Sequence, residues 1–467
     1  MESPEHVEPE KRDVTLDEAL AMALFFHRRG QLAEADEVYC TVLAALPEQP
    51  TALHFSGLLA HQRNEPAEAL ARMRRSLELE PGRADWHSNV GVVLKGEGRI
   101  DEAAEAFRQA IALDPEHVNA HSNLGVLLRA QGHVDEAEAA YRRAIELDPE
   151  HVDAHHNLGV LLSATGRLRE AVRCYCKVIT LSPQHGDARR LMALAHSTLG
   201  EHDKAVEIFE KWAAEEPDNP IVRHMLAACS GRDVPARASD AFVEKIFDGF
   251  AASFDSKLAG LHYRAPSLVE AMLADSGLPA SGQFDVLDAG CGTGLCGPLV
   301  APWARSLVGV DLSGKMLAQA RERHADDGRP VYDELHQAEL TAFLQVHREA
   351  FDVVVSADTL VYFGDLGEVI PATAGALRAN GVAVFTLEDA GDESAAPFHI
   401  DSHGRYAHRP EYAAACLAAS GLEADIVPAE LRLEAGIPVK GLVVRARKPA
   451  VAGVKAPAAL TEAVAHG

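Results

Sequence analysis

A spacing of 34 residues runs through the first half of this 467-residue chain. Positions that keep the spacing carry a proline, an alanine, a glycine or a large apolar residue. The prolines are Pro47, Pro81, Pro115, Pro149, Pro183 and Pro217. The large apolar residues are Tyr39, Met73, Phe107, Tyr141, Tyr175 and Phe209. Six copies of one short period predict a row of stacked supersecondary units, each of which contacts its neighbours.

Each unit has the pattern of two amphipathic helices around a short turn, as in the stretch from Asn119 to Glu150. Small residues at the Gly125 and Ala137 positions allow the two helices to pack closely, and the proline ends each unit. This pattern resembles the tetratricopeptide repeat over about residues 16–219. With an apolar capping helix after the sixth repeat, we expect an all-α array over residues 16–230. The resemblance implies a superhelix with a concave groove.

Asn89, Asn123 and Asn157 recur at one position of the first helix in the three central repeats. An amide both donates and accepts hydrogen bonds, so a row of amides suits the backbone of an extended peptide. Similar asparagine ladders exist in peptide-binding repeat proteins, and the resemblance implies a protein or peptide partner in the groove. The alternative is that asparagine is simply common at this position. The ladder is short, so any bound segment is expected to be short.

The periodicity changes after a polar stretch that reads SGRDVPARASD, and residues 231–239 are predicted to be a linker. Over residues 240–447, apolar strand-like runs alternate with helical stretches, which predicts an α/β doubly wound sheet of the Rossmann-like kind. Ligands of such sheets bind beyond the carboxyl ends of the strands. Both ends of the chain, residues 1–15 and 448–467, are expected to be disordered.

The first strand of this region leads into the loop VLDAGCGTGLCG. A dinucleotide loop requires G-x-G-x-x-G, but Leu295 stands where that motif has its third glycine. Asp288 precedes the loop, and an acid suits the ammonium of S-adenosylmethionine better than a pyrophosphate. Asp311, at the end of the next strand, is placed to accept hydrogen bonds from ribose hydroxyls, a feature that fits either cofactor.

Together, DAGCGTG and GVDLSGKML resemble motifs I and II of class I S-adenosylmethionine-dependent methyltransferases. The order of repeats and domain resembles bacterial predicted methyltransferases that carry tetratricopeptide repeats. The resemblance implies S-adenosylmethionine as cofactor and S-adenosylhomocysteine as product. It also implies a set of cofactor-binding residues, namely Asp288, Gly290, Cys291, Gly292, Gly294, Asp311, Leu312, Met316, Ala338, Glu339, Leu340, Ser356 and Tyr263. Glu339 departs from the aspartate that is frequent at its position, which leaves its reach toward the adenine amino group open.

Helical residues before the glycine loop cap the donor in methyltransferases of this kind, and an aromatic face suits a sulfonium as it suits other cations. The candidates are Phe250, Phe254, Tyr263 and Arg264. Phe250 and Phe254 are four residues apart, so simple packing on the core is an equally good interpretation of that pair.

Methyl transfer requires a base only if the acceptor must first lose a proton. Asp358, Tyr362, Tyr406 and His408 are the candidate catalytic residues, with His399 and His403 as further acceptor-side groups. The alternative for the segment from Phe398 to Tyr412 is a polar surface loop. A metal site among its histidines is not expected. The N/D-P-P-Y/F tetrapeptide that grips planar amides is missing after the fourth strand, which disfavours nucleobases and glutamine as acceptors.

The chain has 44 basic and 70 acidic residues and a net charge of -26, which argues against nucleic-acid and anionic membrane surfaces. Seven scattered cysteines without a CxxC pair indicate reduced thiols in a cytoplasmic protein. Two functions from different classes stay open. One is an active methyltransferase whose repeats recruit a partner or substrate, and the other is an interaction scaffold with a vestigial methyltransferase fold. The methyl acceptor is not encoded in any motif.

Overall fold

The computed structural model describes residues 14–259, 261–325, 327–391, 396–434 and 437–450. The predicted disordered ends therefore lie almost entirely outside the described residues. The chain divides into two compact units, Met1–Ala188 and Arg189–Gly467. This division falls inside the predicted repeat array, whereas the sequence placed the domain boundary near residue 230.

The first unit consists of five helical pairs that follow the 34-residue period. Their bounds are α1 (Leu16–Arg28), α2 (Leu32–Ala45), α3 (Pro50–Gln62), α4 (Pro66–Leu79), α5 (Ala84–Gly96), α6 (Ile100–Leu113), α7 (Val118–Ala130), α8 (Val134–Leu147), α9 (Val152–Ala164) and α10 (Leu168–Leu181). Histidines replace the usual hydroxyl or carboxamide caps at two helix starts. The Nδ1 atom of His117 accepts from the amide of Ala120, and that of His151 accepts from the amide of Ala154.

Close packing inside each pair explains the repeated glycine. A Cβ atom added at Gly125 would lie 2.7 Å from the ring of Tyr141, and one at Gly159 would lie 2.6 Å from the ring of Tyr175. Both tyrosines are fully buried. The glycine of the first helix therefore makes room for the aromatic ring of the second, which confirms the prediction that small residues allow the helices to approach.

The second unit begins within the sixth pair and contains the capping helix. Its first helices are α11 (Gly186–Thr198), α12 (His202–Glu215) and α13 (Pro220–Ser230), followed by α14 (Asp240–Phe250), α15 (Phe254–Ala259) and α16 (Ala265–Ala274). One hydrophobic cluster joins Phe209 and Trp212 of α12, Met225 of α13 and Phe242 of α14, with Tyr362 packed against it. The sixth repeat thus shares a core with the residues that follow it.

The remainder of the second unit is one sheet with helices on its faces. The strands are β1 (Phe284–Ala289), β2 (Ala304–Asp311), β3 (Glu334–Gln337), β4 (Phe351–Ser356), β5 (Leu377–Asp389), β6 (Phe398–Ile400), β7 (Tyr406–His408), β8 (Glu423–Glu434) and β9 (Ile437–Arg447). The helices between them are α17 (Gly297–Val300), α18 (Gly314–Arg321), α19 (Leu340–Val346), α20 (Val369–Ala376) and α21 (Pro410–Ala419).

Strands β3, β2, β1, β4 and β5 lie side by side in this order and are parallel. Strand β5 also pairs antiparallel with β9, which pairs with β8. The order reverses between β1 and β4, and this switch point opens a crevice at the carboxyl ends of the strands. The doubly wound prediction is confirmed, and the short antiparallel hairpin β6–β7 is an addition that the sequence did not predict.

The described residues include no helix that is both long and apolar enough to cross a membrane.

Candidate functional site

A cavity opens at the switch point of the sheet. The glycine loop after β1, the ends of β2, β3 and β4, and the residues around α14 and α15 surround it. Its lining residues are Arg237, Ala238, Val243, Phe247, Phe254, Tyr263, Pro266, Asp288, Gly290, Cys291, Gly292, Thr293, Leu295, Cys296, Val310, Asp311, Leu312, Ala338, Glu339, Leu340, Ala357, Asp358, Thr359, Tyr362 and Phe363. Most residues that the sequence assigned to cofactor binding are therefore brought together.

The three loop glycines have different roles, although all three have positive φ angles. A Cβ atom at Gly290 would lie 2.1 Å from Oγ1 of Thr359, so this glycine allows the loop to touch the segment after β4. Gly292 lines the cavity, and the nearest atom to a Cβ placed there would be in the Phe254 ring, 4.0 Å away. Gly294 does not line the cavity, and its missing Cβ leaves room for the ring of Tyr332. The prediction that Gly294 contacts the cofactor is thus corrected to a packing role.

Asp311 fixes the loop to the end of the neighbouring strand. Its Oδ2 accepts from the amide of Gly292 at 2.9 Å, and its Oδ1 accepts from the amide of Ser313 at 2.8 Å. Burial raises the pKa of Asp311, and the backbone hydrogen bonds oppose that shift. Each oxygen keeps a second lone pair, so the carboxylate holds the loop and can still accept hydrogen bonds from a ligand.

Asp288 is buried beneath the same loop. Its Oδ2 accepts a hydrogen bond from the Tyr332 hydroxyl at 2.7 Å. Burial raises the pKa of Asp288 to about 7, with the neighbouring carboxylate of Asp311 adding to the shift. A positive group near Asp288 would favour its ionised form, so this position suits a cationic ligand group.

Leu312, Ala338, Glu339 and Leu340 form the far end of the cavity, beyond β2 and β3. The carboxylate of Glu339 is not free, because it accepts from the amides of Thr341 and Ala342 and caps α19. The side chain is therefore tied to its own helix. The surface at this end of the cavity is therefore mainly that of the apolar residues Leu312, Ala338 and Leu340.

Two residues that the sequence assigned to the cofactor lie elsewhere. Met316 is completely buried, within a helix that packs on the sheet. Ser356 is also buried, and its hydroxyl donates to the carbonyl oxygen of Ala289 at 2.7 Å. Neither lines the cavity. The sequence does not show which side each motif residue faces, and a contact of Met316 or Ser356 with the cofactor stays a prediction.

Aromatic side chains form one wall of the cavity. Phe254 and Tyr263, two of the predicted aromatic candidates, line it together with Tyr362 and with Phe247, which the sequence did not suggest. The ring of Phe247 packs edge-on against those of Phe254 and Tyr362, at centroid distances of 5.9 and 5.5 Å. Phe247 and Phe254 are seven residues apart, but a short turn at Ala251–Ser253 separates α14 from α15, so the spacing alone did not predict their contact.

Two further candidates for this wall, Phe250 and Arg264, do not line the cavity. The Nζ atom of Lys257 lies 4.3 Å from the centroid of the Phe250 ring. Arg264 is exposed, and its backbone amide donates to Leu431. Both therefore have local structural contacts in place of the predicted contact with a donor.

The segment that the sequence identified as a linker forms part of the cavity wall. Arg237 and Ala238 line it, and the amide of Ala238 donates to the carbonyl oxygen of Tyr362 at 2.8 Å. The carbonyl oxygen of Ala236 accepts from the amides of Gly364 and Asp365. Residues 235–238 are thus hydrogen-bonded to the α/β domain, and the linker prediction is corrected for them.

Tyr406 and His408 are buried in β7 and lie outside the cavity. The Tyr406 hydroxyl donates to the carbonyl oxygen of Pro235 at 2.8 Å, and Nε2 of His408 donates to the carbonyl oxygen of Gly364 at 3.1 Å. Burial lowers the pKa of His408 to about 4, which keeps the ring neutral. The prediction of an acceptor-side role is corrected, since both side chains hold neighbouring backbone segments together.

His399 and His403 also lie outside the cavity lining. Nε2 of His403 lies 3.7 Å from Oε2 of Glu388 and 3.7 Å from Oδ2 of Asp401. These three side chains lie close enough to one another to surround an ion. Arg405 and Arg432 already pair with Glu388, however, so the lone pairs of that carboxylate are partly used within the chain.

The groove candidates lie in the first unit. Nδ2 of Asn89 donates to Nε2 of His54 at 3.0 Å, and Nδ2 of Asn123 donates to the carbonyl oxygen of Asn119 at 3.0 Å. Asn89 and Asn123 line a shared depression with Phe55 and Trp86, whereas Asn157 is not among its lining residues. The amides are partly used by the chain itself, so the predicted ladder is less open than the spacing suggested.

Comparison with known proteins identifies both halves. Residues 286–381 match the family model described as a methyltransferase domain. Residues 91–152, 140–173 and 186–229 match models described as tetratricopeptide repeats. The second unit therefore carries a methyltransferase domain, and the array of helical pairs consists of tetratricopeptide repeats.

The curated relatives are similar to part of the chain only. The ubiquinone biosynthesis O-methyltransferase of Thiobacillus denitrificans is 33% identical over 112 residues, which are 24% of this chain and 47% of that protein. The malonyl-[acyl-carrier protein] O-methyltransferase of Acetivibrio thermocellus is 29% identical over 113 residues, which are 23% of this chain and 37% of that protein. The match thus spans less than half of each relative. Among solved structures, PilF of Pseudomonas aeruginosa is 18% identical with a TM-score of 0.41, covering 45% of this chain and 96% of that one.

Proposed function

Because the chain joins tetratricopeptide repeats to a methyltransferase domain, we propose that it is an S-adenosylmethionine-dependent methyltransferase whose repeats recruit a protein partner or substrate. The observation that carries the proposal is the cavity at the switch point. Gly292, Asp288 and Asp311 meet there at the carboxyl ends of adjacent parallel strands.

The residues present fit the chemistry of that donor. Gly292 leaves open space beside the backbone, which gives a ligand room at the loop. The buried Asp288 suits an ammonium group, and Asp311 has lone pairs for ribose hydroxyls. Leu312, Ala338 and Leu340 offer an apolar surface for a purine base. No phosphate group belongs to this ligand, in agreement with the carboxylates around the loop.

The donor supplies a methyl group that is already activated as a sulfonium. The protein then has to bind, orient and exclude water. The loop is held by Asp311, and the aromatic wall of Phe247, Phe254, Tyr263 and Tyr362 gives the cavity an apolar surface. Aromatic faces also favour a nearby cation.

The acceptor is expected to enter beside this aromatic wall. The hydroxyls of Tyr263 and Tyr362 take part in none of the hydrogen bonds among the described residues. These two phenols are therefore available to orient a polar acceptor atom. Both curated relatives are named as O-methyltransferases. We take small molecules and proteins with an oxygen nucleophile as the first acceptor class to test.

The partner is proposed to bind in the groove of the first unit. Asn89 and Asn123 line the depression beside Phe55 and Trp86, and their amides can exchange an internal hydrogen bond for one to a peptide backbone. Asn157, at the same position of the next repeat, would extend this surface. The groove is tested by the affinity for a candidate partner. The double variant Asn89→Ala with Asn123→Ala is compared with Glu116→Ala, an exposed control position.

Titration calorimetry of the full chain with S-adenosylmethionine tests the donor site. We expect saturable binding by the wild-type chain and a loss of about tenfold or more in Asp311→Ala, because a charge-assisted pair of hydrogen bonds is removed. Asp327→Ala is the matched control, since that carboxylate lies on the surface beside Arg329. A wild-type chain that binds no donor would support the alternative of an interaction scaffold with a vestigial methyltransferase fold.

The acceptor is then found by transfer of a labelled methyl group to fractionated lysate. An active enzyme labels a discrete molecule in the presence of the wild-type chain and does not label it with Asp311→Ala. If the repeats deliver that molecule, groove variants raise its apparent KM and leave the donor affinity unchanged. If the repeats only tether the enzyme, both quantities stay at their wild-type values.

A further inference from the structure

Asp358 follows β4 and lines the cavity, and its carboxylate is held by two other strands. Its Oδ1 accepts from the hydroxyl of Thr386 at 2.9 Å, and its Oδ2 accepts from Nη1 of Arg432 at 2.7 Å. The same hydroxyl accepts from the amide of Asp358 at 2.8 Å. Asp358 also has a left-handed backbone with φ of 54°. Both the backbone amide and the carboxylate of Asp358 are therefore held by hydrogen bonds within the chain.

Arg432 is the centre of a buried ionic network. Its Nε donates to Glu434 at 2.7 Å, and its Nη2 donates to Glu388. Arg405 donates to the same two carboxylates, at 2.6 Å in each case. With Asp358, this part of the network contains three carboxylates and two guanidinium groups. The charge that is not balanced within it is negative, and Asp358 is the member that lines the cavity.

Two hydrogen bonds favour the ionised form of the Asp358 carboxyl against the effect of burial. Burial raises the pKa of Asp358, and the Arg432 guanidinium opposes that shift. Proton uptake by Asp358 would weaken the charge-assisted hydrogen bond from Nη1 of Arg432, although that guanidinium would keep its bonds to Glu388 and Glu434. A cation bound in the cavity would be a second positive partner beside Arg432 and would favour the ionised form of Asp358.

We propose that Asp358 is a fixed negative charge that holds the sulfonium of the donor, and that Arg432 is the positioning residue that keeps this charge in place. The inference rests on the proposed function and deepens it. It replaces the role of a general base, which the sequence suggested for Asp358. Attraction to the sulfonium is lost when the sulfur becomes neutral, so the same carboxylate favours retention of the donor over retention of the product.

The test compares the affinities of the full chain for S-adenosylmethionine and S-adenosylhomocysteine, measured by calorimetry at one pH near 8. The two probes share every group except the methyl group and its positive charge. In Asp358→Asn we expect the affinity for the charged probe to fall about tenfold, while that for the neutral probe falls less than about threefold. Arg432→Met is also expected to lower the ratio of the affinity for S-adenosylmethionine to that for S-adenosylhomocysteine.

Two variants separate positioning from general damage. Arg432→Lys keeps a positive charge beside Asp358 and should retain more of the wild-type ratio than Arg432→Met. Thr386→Val removes one hydrogen bond to the carboxylate and tests its orientation if the arginine variants fail to fold. Loss of fold in a variant lowers the affinities for both probes alike, whereas loss of the fixed charge changes the ratio of the two affinities.

Equal losses for both probes in the folded Asp358→Asn chain, or no loss for either, would overturn the inference. A wild-type chain that binds neither probe would instead refute the proposed function on which the inference rests. A wild-type chain that binds both, with a ratio that Asp358→Asn leaves unchanged, refutes the role of Asp358 alone.

Discussion

Nε2 of His224 donates a hydrogen bond to the carbonyl oxygen of Gly404 at 2.7 Å. His224 belongs to α13, the capping helix of the repeats, and Gly404 is in the turn between β6 and β7. The ring of His224 also stacks on Phe242, at a centroid distance of 3.9 Å. The last helix of the repeats is thereby attached to the β6–β7 hairpin. Arg405, which follows Gly404 in this turn, pairs with Glu388.

This contact predicts that the methyltransferase domain depends on the end of the repeats. A chain that begins at Asp240 lacks α13 and residues 235–238, and so loses the hydrogen bonds to Tyr362, Gly364 and Gly404. We expect it to unfold at a lower temperature and to bind S-adenosylmethionine more weakly than a chain that begins at Arg189. Thermal unfolding and calorimetry measure the two effects. Equal stability and affinity of the two chains would contradict the prediction.

Donor affinity is expected to depend on pH through Asp288. Burial raises the pKa of this carboxylate to about 7 in the free protein. A cationic ligand favours the ionised form, so below pH 7 its binding must also expel a proton. The affinity for S-adenosylmethionine should therefore fall as the pH decreases from 8 to 6, approaching about tenfold per unit at the acidic end.

Calorimetry in two buffers with different ionisation enthalpies measures the proton released on binding. We expect release near pH 6.5 and none at pH 8.5. Asp288→Asn should bind the donor more weakly at pH 8 and show a flatter pH profile. An unchanged slope in that variant would assign the pH dependence to another group.

Local motifs account for what the sequence predicted correctly. The repeat period is set by contacts between neighbours in the chain, such as Gly125 with Tyr141. The glycine loop and Asp311 meet because the ends of adjacent parallel strands lie together. Each of these relationships is encoded within a short stretch or follows from the fold class.

Long-range contacts account for what the sequence missed. Residues 235–238 have the composition of a linker, yet their backbone pairs with Tyr362 and Gly364 far along the chain. Strands β6 and β7 have three residues each, which is too short for an alternating pattern. Tyr406 and His408 are residue types that are typical of active sites, but each of them donates a hydrogen bond to a backbone carbonyl oxygen.

Substitution of a repeat glycine should destabilise the first unit. In Gly125→Ala the new methyl group would lie 2.7 Å from the Tyr141 ring, so we expect a loss of about 1–3 kcal/mol in the free energy of unfolding. Gly96→Ala is the matched control, because its nearest neighbour would be 3.8 Å away and alanine favours a helix. Denaturant unfolding measures both. A Gly125→Ala chain as stable as Gly96→Ala would contradict the packing role.

Tyr406→Phe distinguishes a structural from a catalytic role for that tyrosine. The variant loses only the hydrogen bond to the carbonyl oxygen of Pro235, and the buried ring keeps its packing. We expect the free energy of unfolding to fall by about 1 kcal/mol, with the affinity for S-adenosylmethionine unchanged. Tyr362→Phe is the matched comparison, because its hydroxyl belongs to a ring that lines the cavity. Once an acceptor is known, Tyr362→Phe should raise its KM, and Tyr406→Phe should not. A Tyr406→Phe chain with normal stability and impaired methyl transfer would restore the catalytic role that the sequence suggested.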